Sequence, residues 1–97
     1  MKKTEKLTVL ITGAAAGIGN AVAKEFLKNG HTVYALDVRL PKIGEPLQAD
    51  ITNETALYEI FLDLREKNVV LDGIFNFAGV QNQTAYGDQR LRGDARQ

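Results

Sequence analysis

The stretch TGAAAGIG occupies residues 12–19 and joins two segments with different sequence patterns. Residues 7–11 (LTVLI) are β-branched and apolar, which predicts a buried strand of a parallel sheet. Residues 17–29 carry an apolar residue at every fourth position, which predicts an amphipathic helix. The glycine-rich stretch between them is either a plain turn or a phosphate-binding loop. The second interpretation follows because the first turn of a helix presents unpaired N–H groups and a partial positive charge to an anion.

The rest of the chain continues the alternation of strands and helices. We predict further strands at residues 32–36, 47–51 and 72–77, and a second helix from Thr52 or Asn53 to about Lys67. The connection at residues 38–46 holds two prolines and is too short for a crossover helix, so we predict a loop there. The order β-α-β-β-α-β predicts an α/β fold with a parallel sheet. The predicted apolar stripes are Ile18, Ala21, Val22, Phe26 and Leu27 in the first helix, and Leu57, Ile60, Phe61 and Leu64 in the second.

Composition excludes several classes of function. Twelve basic residues balance twelve acidic ones, so nothing attracts the chain to nucleic acid or to an acidic membrane. The absence of cysteine and the single histidine, His31, argue against a metal site and a thiol nucleophile. The apolar run near the N-terminus is too short for a signal peptide or a membrane span, which predicts a cytoplasmic protein.

Each glycine of the stretch has a predicted task. Gly13 permits the tight turn, Gly17 lets backbone approach a phosphate, and Gly19 lets the helix pack closely on the sheet. The spacing is G-x-x-x-G-x-G, which differs from the G-x-G-x-x-G fingerprint. The glycines alone therefore predict an anion site without identifying the ligand.

Polar and small residues at the predicted strand ends support a nucleotide site. Asp37 ends the second strand, where a carboxylate can accept hydrogen bonds from both ribose hydroxyls, or can be a solvated strand-end acid. Asp50 ends the third predicted strand, where it can accept a bond from an adenine amino group, or can stabilise the N-terminus of the second helix. Residues 76–79 (NFAG) close the fourth strand and leave room for a flat ligand, or simply form a turn.

Together, TGxxxGxG, Asp37, Asp50-Ile51 and Asn-x-Ala-Gly resemble the N-terminal half of the short-chain dehydrogenase/reductase family. The resemblance covers about residues 5–80 and implies an incomplete Rossmann-type sheet of four strands in the order 3-2-1-4. It implies that residues 1–80 are the N-terminal half of a dinucleotide-binding domain. Residues 81–97 contain one leucine and no valine, isoleucine or phenylalanine, which predicts an irregular or disordered tail. It implies a cofactor site made of Gly13, Gly17, Ile18 and Gly19 at the pyrophosphate, Asp37 at the ribose, Asp50 and Ile51 at the adenine, and Asn76, Ala78 and Gly79 along the adenosine.

The resemblance also implies a choice of cofactor. A carboxylate at Asp37 repels a 2′-phosphate and favours NAD over NADP, although Arg39 lies near enough to pair with a phosphate. The short connection from Asp37 to Asp50 resembles a subgroup containing 2,3-dihydro-2,3-dihydroxybenzoate dehydrogenase and some 3-oxoacyl-[acyl-carrier-protein] reductases. The usual Asn-Asn-Ala-Gly is here Asn-Phe-Ala-Gly, a departure at Phe77.

The family's catalytic serine and Tyr-x-x-x-Lys have no match in these 97 residues. Tyr86 has Arg90 four residues later, but it follows Gly79 too closely to be the catalytic tyrosine. We therefore predict no catalytic residue, and we expect the chain to bind NAD(P) without converting a substrate. The alternatives are a non-catalytic nucleotide-binding module and an interaction module. In the interaction module, the fourth strand has an uncovered edge with the apolar residues Ile74, Phe75 and Phe77. This edge pairs with a second copy of the chain or with a relative.

Overall fold

Four strands and two helices make up the part of the chain that the computed structural model describes, residues 5–78. The strands form one parallel sheet in the order β3-β2-β1-β4, as predicted. Predictions on residues 79–97, which include Gly79, Tyr86 and the tail, lie outside the described residues. The elements are β1 (Thr8–Thr12), α1 (Gly17–Lys28), β2 (Thr32–Asp37), β3 (Glu45–Gln48), α2 (Glu54–Glu66) and β4 (Gly73–Asn76).

Strand β1 is the centre of the sheet and is buried on both faces. Its residue Val9 pairs in register with Val33 of β2 and with Gly73 of β4. Because all the strands run in the same direction, the carboxyl ends of β1, β2 and β4 meet at one edge of the sheet. The chain leaves β1 toward β2 on one side and reaches β4 on the other, so this edge holds the topological switch point where open α/β sheets bind ligands.

The two faces of the sheet carry separate apolar layers. On the α1 side, alternate strand residues pack with alanines of the loop and the helix; the buried members of this layer are Val9, Ile11, Ala14, Ala23, Val33 and Ala35. The other side carries Leu10 and Leu36, which are also buried, and Leu64 is the buried residue of α2. The uninterrupted apolar run in β1 is thus explained by burial on two faces.

The apolar stripe predicted for α1 is wrong at two of its residues, Ile18 and Ala21. Ile18 is 44% exposed and Ala21 is also exposed, whereas Gly19 and Ala23 are the buried residues of the helix. Val22 and Phe26 pack at the flanks of the core. The helix approaches the sheet so closely that only the smallest residues fit on the line of contact, and larger side chains are displaced to either side.

The third strand was predicted at residues 47–51 but lies at Glu45–Gln48, so it begins two residues earlier, within the predicted loop, and ends three residues earlier. Neither Asp50 nor Ile51 belongs to it. It is an edge strand that pairs only with β2 among the described strands, and it contains Pro46, which lacks an N–H to donate. Its residues are mostly exposed, so the apolar pattern that marks a buried strand is missing. The second helix begins as predicted, since the Asn53 side chain accepts the Ala56 N–H at 3.0 Å.

The single histidine has a structural position that the sequence did not suggest. Its Nδ1 accepts the Leu7 N–H at 3.0 Å, and its ring meets Phe26 edge-on with the ring centroids 5.5 Å apart. His31 therefore connects the start of β1 to the turn between α1 and β2.

Candidate functional site

The glycine-rich loop has a backbone conformation that residues with a side chain rarely adopt. Gly13 and Gly17 have φ of +71° and +66°, in the left-handed region that favours glycine. A Cβ on Gly13 would lie 2.6 Å from the Phe77 carbonyl carbon and 2.7 Å from the Ala78 nitrogen. Gly13 therefore permits the tight turn, as predicted, and also the close approach of the loop to the end of β4.

Gly19 allows the start of α1 to rest against the loop itself. A Cβ there would overlap the Gly13 carbonyl oxygen and lie 3.2 Å from the Thr12 carbonyl oxygen. Gly19 was predicted to let the helix pack closely, and this is what the structure shows. The contact is made with the backbone at the end of β1 and in the loop after it, rather than with strand side chains. The missing Cβ thus places the N-terminus of the helix over the carboxyl end of β1.

The N-terminus of α1 has the electrostatic character of an anion site. Its N-cap residue is Ala16, no side chain among the described residues caps the helix, and its first turn carries no acidic residue. The partial positive charge of the helix end is therefore not offset by a carboxylate of its own. A phosphate group is the kind of ligand that such an end accommodates.

Asp37 lies beside this loop and is fixed there by two backbone groups. Its Oδ2 accepts the Ala15 N–H at 2.9 Å, and its Oδ1 accepts the Val38 N–H at 2.6 Å. The first bond ties the end of β2 to the middle of the glycine loop. The carboxylate is half-buried and still has lone pairs for hydroxyl donors. The alternative of a freely solvated strand-end acid does not fit these contacts.

Thr12 joins the ends of β1 and β4. Its hydroxyl donates to Asn76 Oδ1 at 2.5 Å and accepts the N–H groups of Phe77 and Ala78 at 3.1 and 3.3 Å. Asn76 Oδ1 also accepts the Ala78 N–H at 3.2 Å. Thr12 is 7% exposed and is the buried polar residue of the described core. The network fixes the turn after β4 against the glycine loop, and the sequence analysis did not assign Thr12 this role.

Asp50 lies in the turn before α2 and is exposed. Its Oδ1 accepts the Thr52 N–H at 2.9 Å and the Thr52 hydroxyl at 2.7 Å, and these bonds lower the pKa of the carboxyl. Its main-chain oxygen accepts the Asn53 N–H at 2.8 Å. Asp50 therefore shapes the turn that precedes α2, while the Asn53 side chain caps the helix. Its second carboxylate oxygen, Oδ2, makes no hydrogen bond within the described residues.

A cleft of about 240 Å³ lies between the sheet and α2. It brings together two predicted site residues, Ile51 and Asn76, with Thr12 at the same end. Of the other predicted residues within 5–78, Asp50 lies in the turn before α2, and those at or beside the glycine loop are Gly13, Gly17, Ile18, Gly19, Asp37 and Ala78. The remaining walls are apolar and comprise Leu10, Leu36, Leu57, Phe61 and Ile74.

Two contributors to the site lie outside the predicted set. Ala15 positions Asp37 through its N–H, and Thr12 connects the loop to β4. A backbone donor leaves no mark in the side-chain pattern, so Ala15 could not be found from the sequence. Thr12 did carry a signal, since it is a polar residue at the end of an otherwise apolar buried strand. Within residues 5–78, no helix is both long and apolar enough to cross a membrane.

Comparison with known proteins gives a consistent result. The family model described as short chain dehydrogenase matches residues 7–92. The NADP-dependent 3-hydroxy acid dehydrogenase YdfG of Salmonella typhi is 33% identical over 84 residues, which cover 76% of this chain and 34% of that protein. A 3beta-hydroxysteroid dehydrogenase of Mediterraneibacter gnavus is 32% identical over 93 residues, with 82% and 34% covered.

A solved structure adds the same fold with a cofactor. The short chain dehydrogenase of Leptospira borgpetersenii, crystallised with bound NAD+, is similar with a TM-score of 0.69 and 35% identity. The match covers 74% of this chain and 31% of that one. The chain thus spans about a third of the length of the relatives it matches.

Proposed function

Because the chain belongs to the short chain dehydrogenase family, we propose that it forms the adenosine-side part of an NAD(P) site in an oxidoreductase. That enzyme moves hydride between the nicotinamide and an alcohol or carbonyl group. The observation that supports this most directly is the Ala15–Asp37 hydrogen bond of 2.9 Å, which places a carboxylate beside a helix N-terminus that has no side-chain cap. An anion site next to a carboxylate that can accept hydrogen bonds from hydroxyl groups suits a phosphorylated ribose.

The residues fit such a ligand in three groups. Gly13 and Gly19 let the loop pack against the end of β4 and against the start of α1, which places the helix N-terminus at the carboxyl edge of the sheet, so we assign Gly13, Gly17, Ile18 and Gly19 to the pyrophosphate. Asp37 is assigned to the ribose hydroxyls. The remaining assignments follow the family pattern and are Asp50 and Ile51 at the adenine, with Asn76, Ala78 and Gly79 along the adenosine.

We further propose that these 97 residues bind the cofactor without catalysing hydride transfer. The sequence contains no serine and no Tyr-x-x-x-Lys. Tyr34 is half-buried within β2 and Tyr58 is 65% exposed on α2, and neither is followed by a lysine four residues later.

The test is calorimetric titration of the 97-residue chain with ADP-ribose, which has the adenosine half of the cofactor and no nicotinamide. The informative variants are Ile18→Asp and Ile18→Asn, at an exposed position in the first turn of α1. An aspartate stabilises a helix N-terminus but repels a pyrophosphate, so the two effects have opposite signs. We expect Ile18→Asp to bind ADP-ribose at least tenfold more weakly than Ile18→Asn, roughly 1.4 kcal/mol, while unfolding at an equal or higher urea concentration.

Two outcomes would contradict the proposal. A folded wild-type chain that gives no binding heat with millimolar ADP-ribose has no adenosine site. Equal binding by the Asp and Asn variants would place the pyrophosphate away from the helix N-terminus. Turnover of an alcohol with NAD+ by the chain alone would refute the separate proposal that it does not catalyse.

An interaction role is a second candidate, favoured by the exposed edge at β4. Ile74 is 56% exposed and Phe75 is 38% exposed, and no described strand pairs with the outer side of β4. An unpaired strand edge with apolar side chains is a template for another chain. We expect the purified chain to self-associate, and Ile74→Lys to shift it toward monomer in sedimentation velocity. A wild-type chain that is monomeric at every concentration removes this candidate.

A further inference from the structure

An apolar groove lies between the outer side of β4 and the C-terminal half of α2. Its volume is about 460 Å³, and its apolar lining includes Phe61 of the helix, Val70 of the α2–β4 connection and Ile74 of the strand. These three side chains are 38%, 76% and 56% exposed. A contiguous apolar surface above roughly a few hundred Å² marks an interaction site in a soluble protein. The groove extends the unpaired edge of β4 onto the adjoining side of α2.

The exposed apolar surface around the groove is large enough for one side of a stable interface. Tyr58 and Phe75 extend it, and the five side chains are between 38% and 76% exposed. At about 150–200 Å² for a complete large side chain, these fractions give roughly 400–550 Å² of apolar surface. A standard interface buries about 800 Å² on each partner, of which a little over half is apolar. The area therefore fits a second protein chain rather than a small ligand.

Four side chains on the side of α2 that faces β4 form a self-complementary set. The set consists of Glu54, Tyr58, Phe61 and Arg65. Their spacing of four, three and four residues places them on one side of the helix. Phe61 and Arg65 both line the groove, so this side of the helix borders β4. In two antiparallel copies of α2, each Glu54 lies opposite the other copy's Arg65, and each Tyr58 lies opposite the other copy's Phe61.

The two charged residues of this set, Glu54 and Arg65, are exposed and have no ion-pair partner in the described part of the chain. The salt bridge found there joins Lys67 to Asp63. Glu54 in the first turn and Arg65 in the last turn also suit the helix dipole. The dipole does not explain why the aromatic ring of Tyr58 between them faces solvent. A second copy of the same helix accounts for both the charges and the exposed ring.

We infer that two copies of this chain form a closed dimer, in which the β4 strands pair antiparallel about a twofold axis near Ile74 and the two α2 helices lie side by side. The inference rests on the interaction role proposed above, and it names the partner as a second copy. An axis perpendicular to the sheet keeps both helices on the same face. The other edge of the described sheet is β3, which contains Pro46 and so disfavours strand pairing. Assembly therefore stops at two copies.

The position of α2 on the sheet agrees with this dimer. Phe61 and Ile74 line both the groove and the cleft beneath α2, so the middle of the helix lies level with the twofold axis. Residues of β1, β2 and β4 line that cleft, which places α2 over the central strand β1. The two helices of the dimer are then three strand spacings apart, about 14 Å, whereas directly packed helices are about 8–10 Å apart. The large rings of Tyr58 and Phe61 from both copies fill this wider space.

Sedimentation velocity of the 97-residue chain over a range of concentrations tests this dimer. Glu54→Lys and Arg65→Glu each place like charges opposite one another, and the double variant restores opposite charges. Glu59→Lys makes the same charge change at an exposed position on another side of α2, and is the matched control. Both single substitutions also oppose the helix dipole, and the double variant combines these two unfavourable charges. Recovery of the dimer in the double variant therefore cannot come from a more stable helix.

We expect the wild-type chain to pass from monomer to dimer as its concentration rises, without forming larger species. Each substitution occurs twice in a twofold dimer, so either single variant should weaken the dimer about tenfold. The double variant should dimerise within about threefold of the wild-type affinity, because the charges are again opposite. Glu59→Lys should change the affinity less than about twofold, because its side chain lies away from the second copy.

Three outcomes would contradict this dimer. Single variants that dimerise like the wild type, or a double variant as weak as the single ones, would overturn the twofold arrangement and leave the β4 edge as an interaction site. Species that grow beyond a dimer with concentration would show open-ended pairing and would overturn it as well. A chain that is monomeric at every concentration has this surface covered by its own residues 79–97, which removes the interaction role too. ADP-ribose binding tests the cofactor proposal separately.

Discussion

Replacing Gly19 with alanine destabilises the protein by about 2 kcal/mol, although alanine is the better helix former by about 1 kcal/mol. The added Cβ would overlap the Gly13 carbonyl oxygen and lie 2.8 Å from the Gly13 carbonyl carbon. Both atoms belong to the backbone, so no side chain can rotate away. The start of α1 must then move off the loop, and the N–H groups that face the proposed pyrophosphate move with it.

Urea unfolding of the Gly19→Ala variant measures the decrease in its free energy of unfolding. The reverse change Ala21→Gly is the control, at an exposed position of the same helix where only intrinsic helix propensity acts. There we expect alanine to be more stable than glycine by about 1 kcal/mol, the opposite sign. ADP-ribose affinity should fall in Gly19→Ala and remain in Ala21→Gly. A Gly19→Ala variant as stable as the wild type would mean that the helix does not rest on the loop.

Replacing Asp37 with asparagine weakens ADP-ribose binding by about tenfold to a hundredfold, the effect of losing charge-assisted hydrogen bonds to the ribose. The carboxylate now accepts from both Ala15 N–H and Val38 N–H. The amide of asparagine has one acceptor oxygen, so its NH₂ group must face one of these donors. We therefore expect a loss of stability of about 1–2 kcal/mol in addition to the loss of binding.

Asp72→Asn separates the two effects of the Asp37 substitution. Asp72 Oδ2 accepts the Thr8 N–H at 2.8 Å, at the start of β1 and so at the opposite edge of the sheet. We expect its asparagine variant to lose stability by a similar mechanism while keeping ADP-ribose affinity within twofold. Equal losses of affinity in Asp37→Asn and Asp72→Asn would show that binding follows stability, and would remove Asp37 from the ribose.

The order of elements follows from local sequence patterns, because the described helices and the inner strands have strong periodicity and clear ends. β1 is apolar on both faces, and Asn53 marks the start of α2 as an N-cap. β3 was misplaced because its burial is slight and its hydrogen bonds go to one neighbour only. An edge strand of this kind forms because it pairs with β2, and its own residues carry no pattern that predicts this pairing.

A glycine turn between a buried strand and a helix could be predicted from the sequence alone, because an apolar run predicts burial and glycine suits the positive φ that Gly13 and Gly17 adopt. Family resemblance then assigned the carboxylate Asp37. The contacts of that carboxylate depend on the tertiary structure, because the Ala15 N–H lies 22 residues away and is a backbone group. The groove that Arg65 and Ile74 share likewise depends on it, since a helix residue and a strand residue meet only when α2 packs on the sheet.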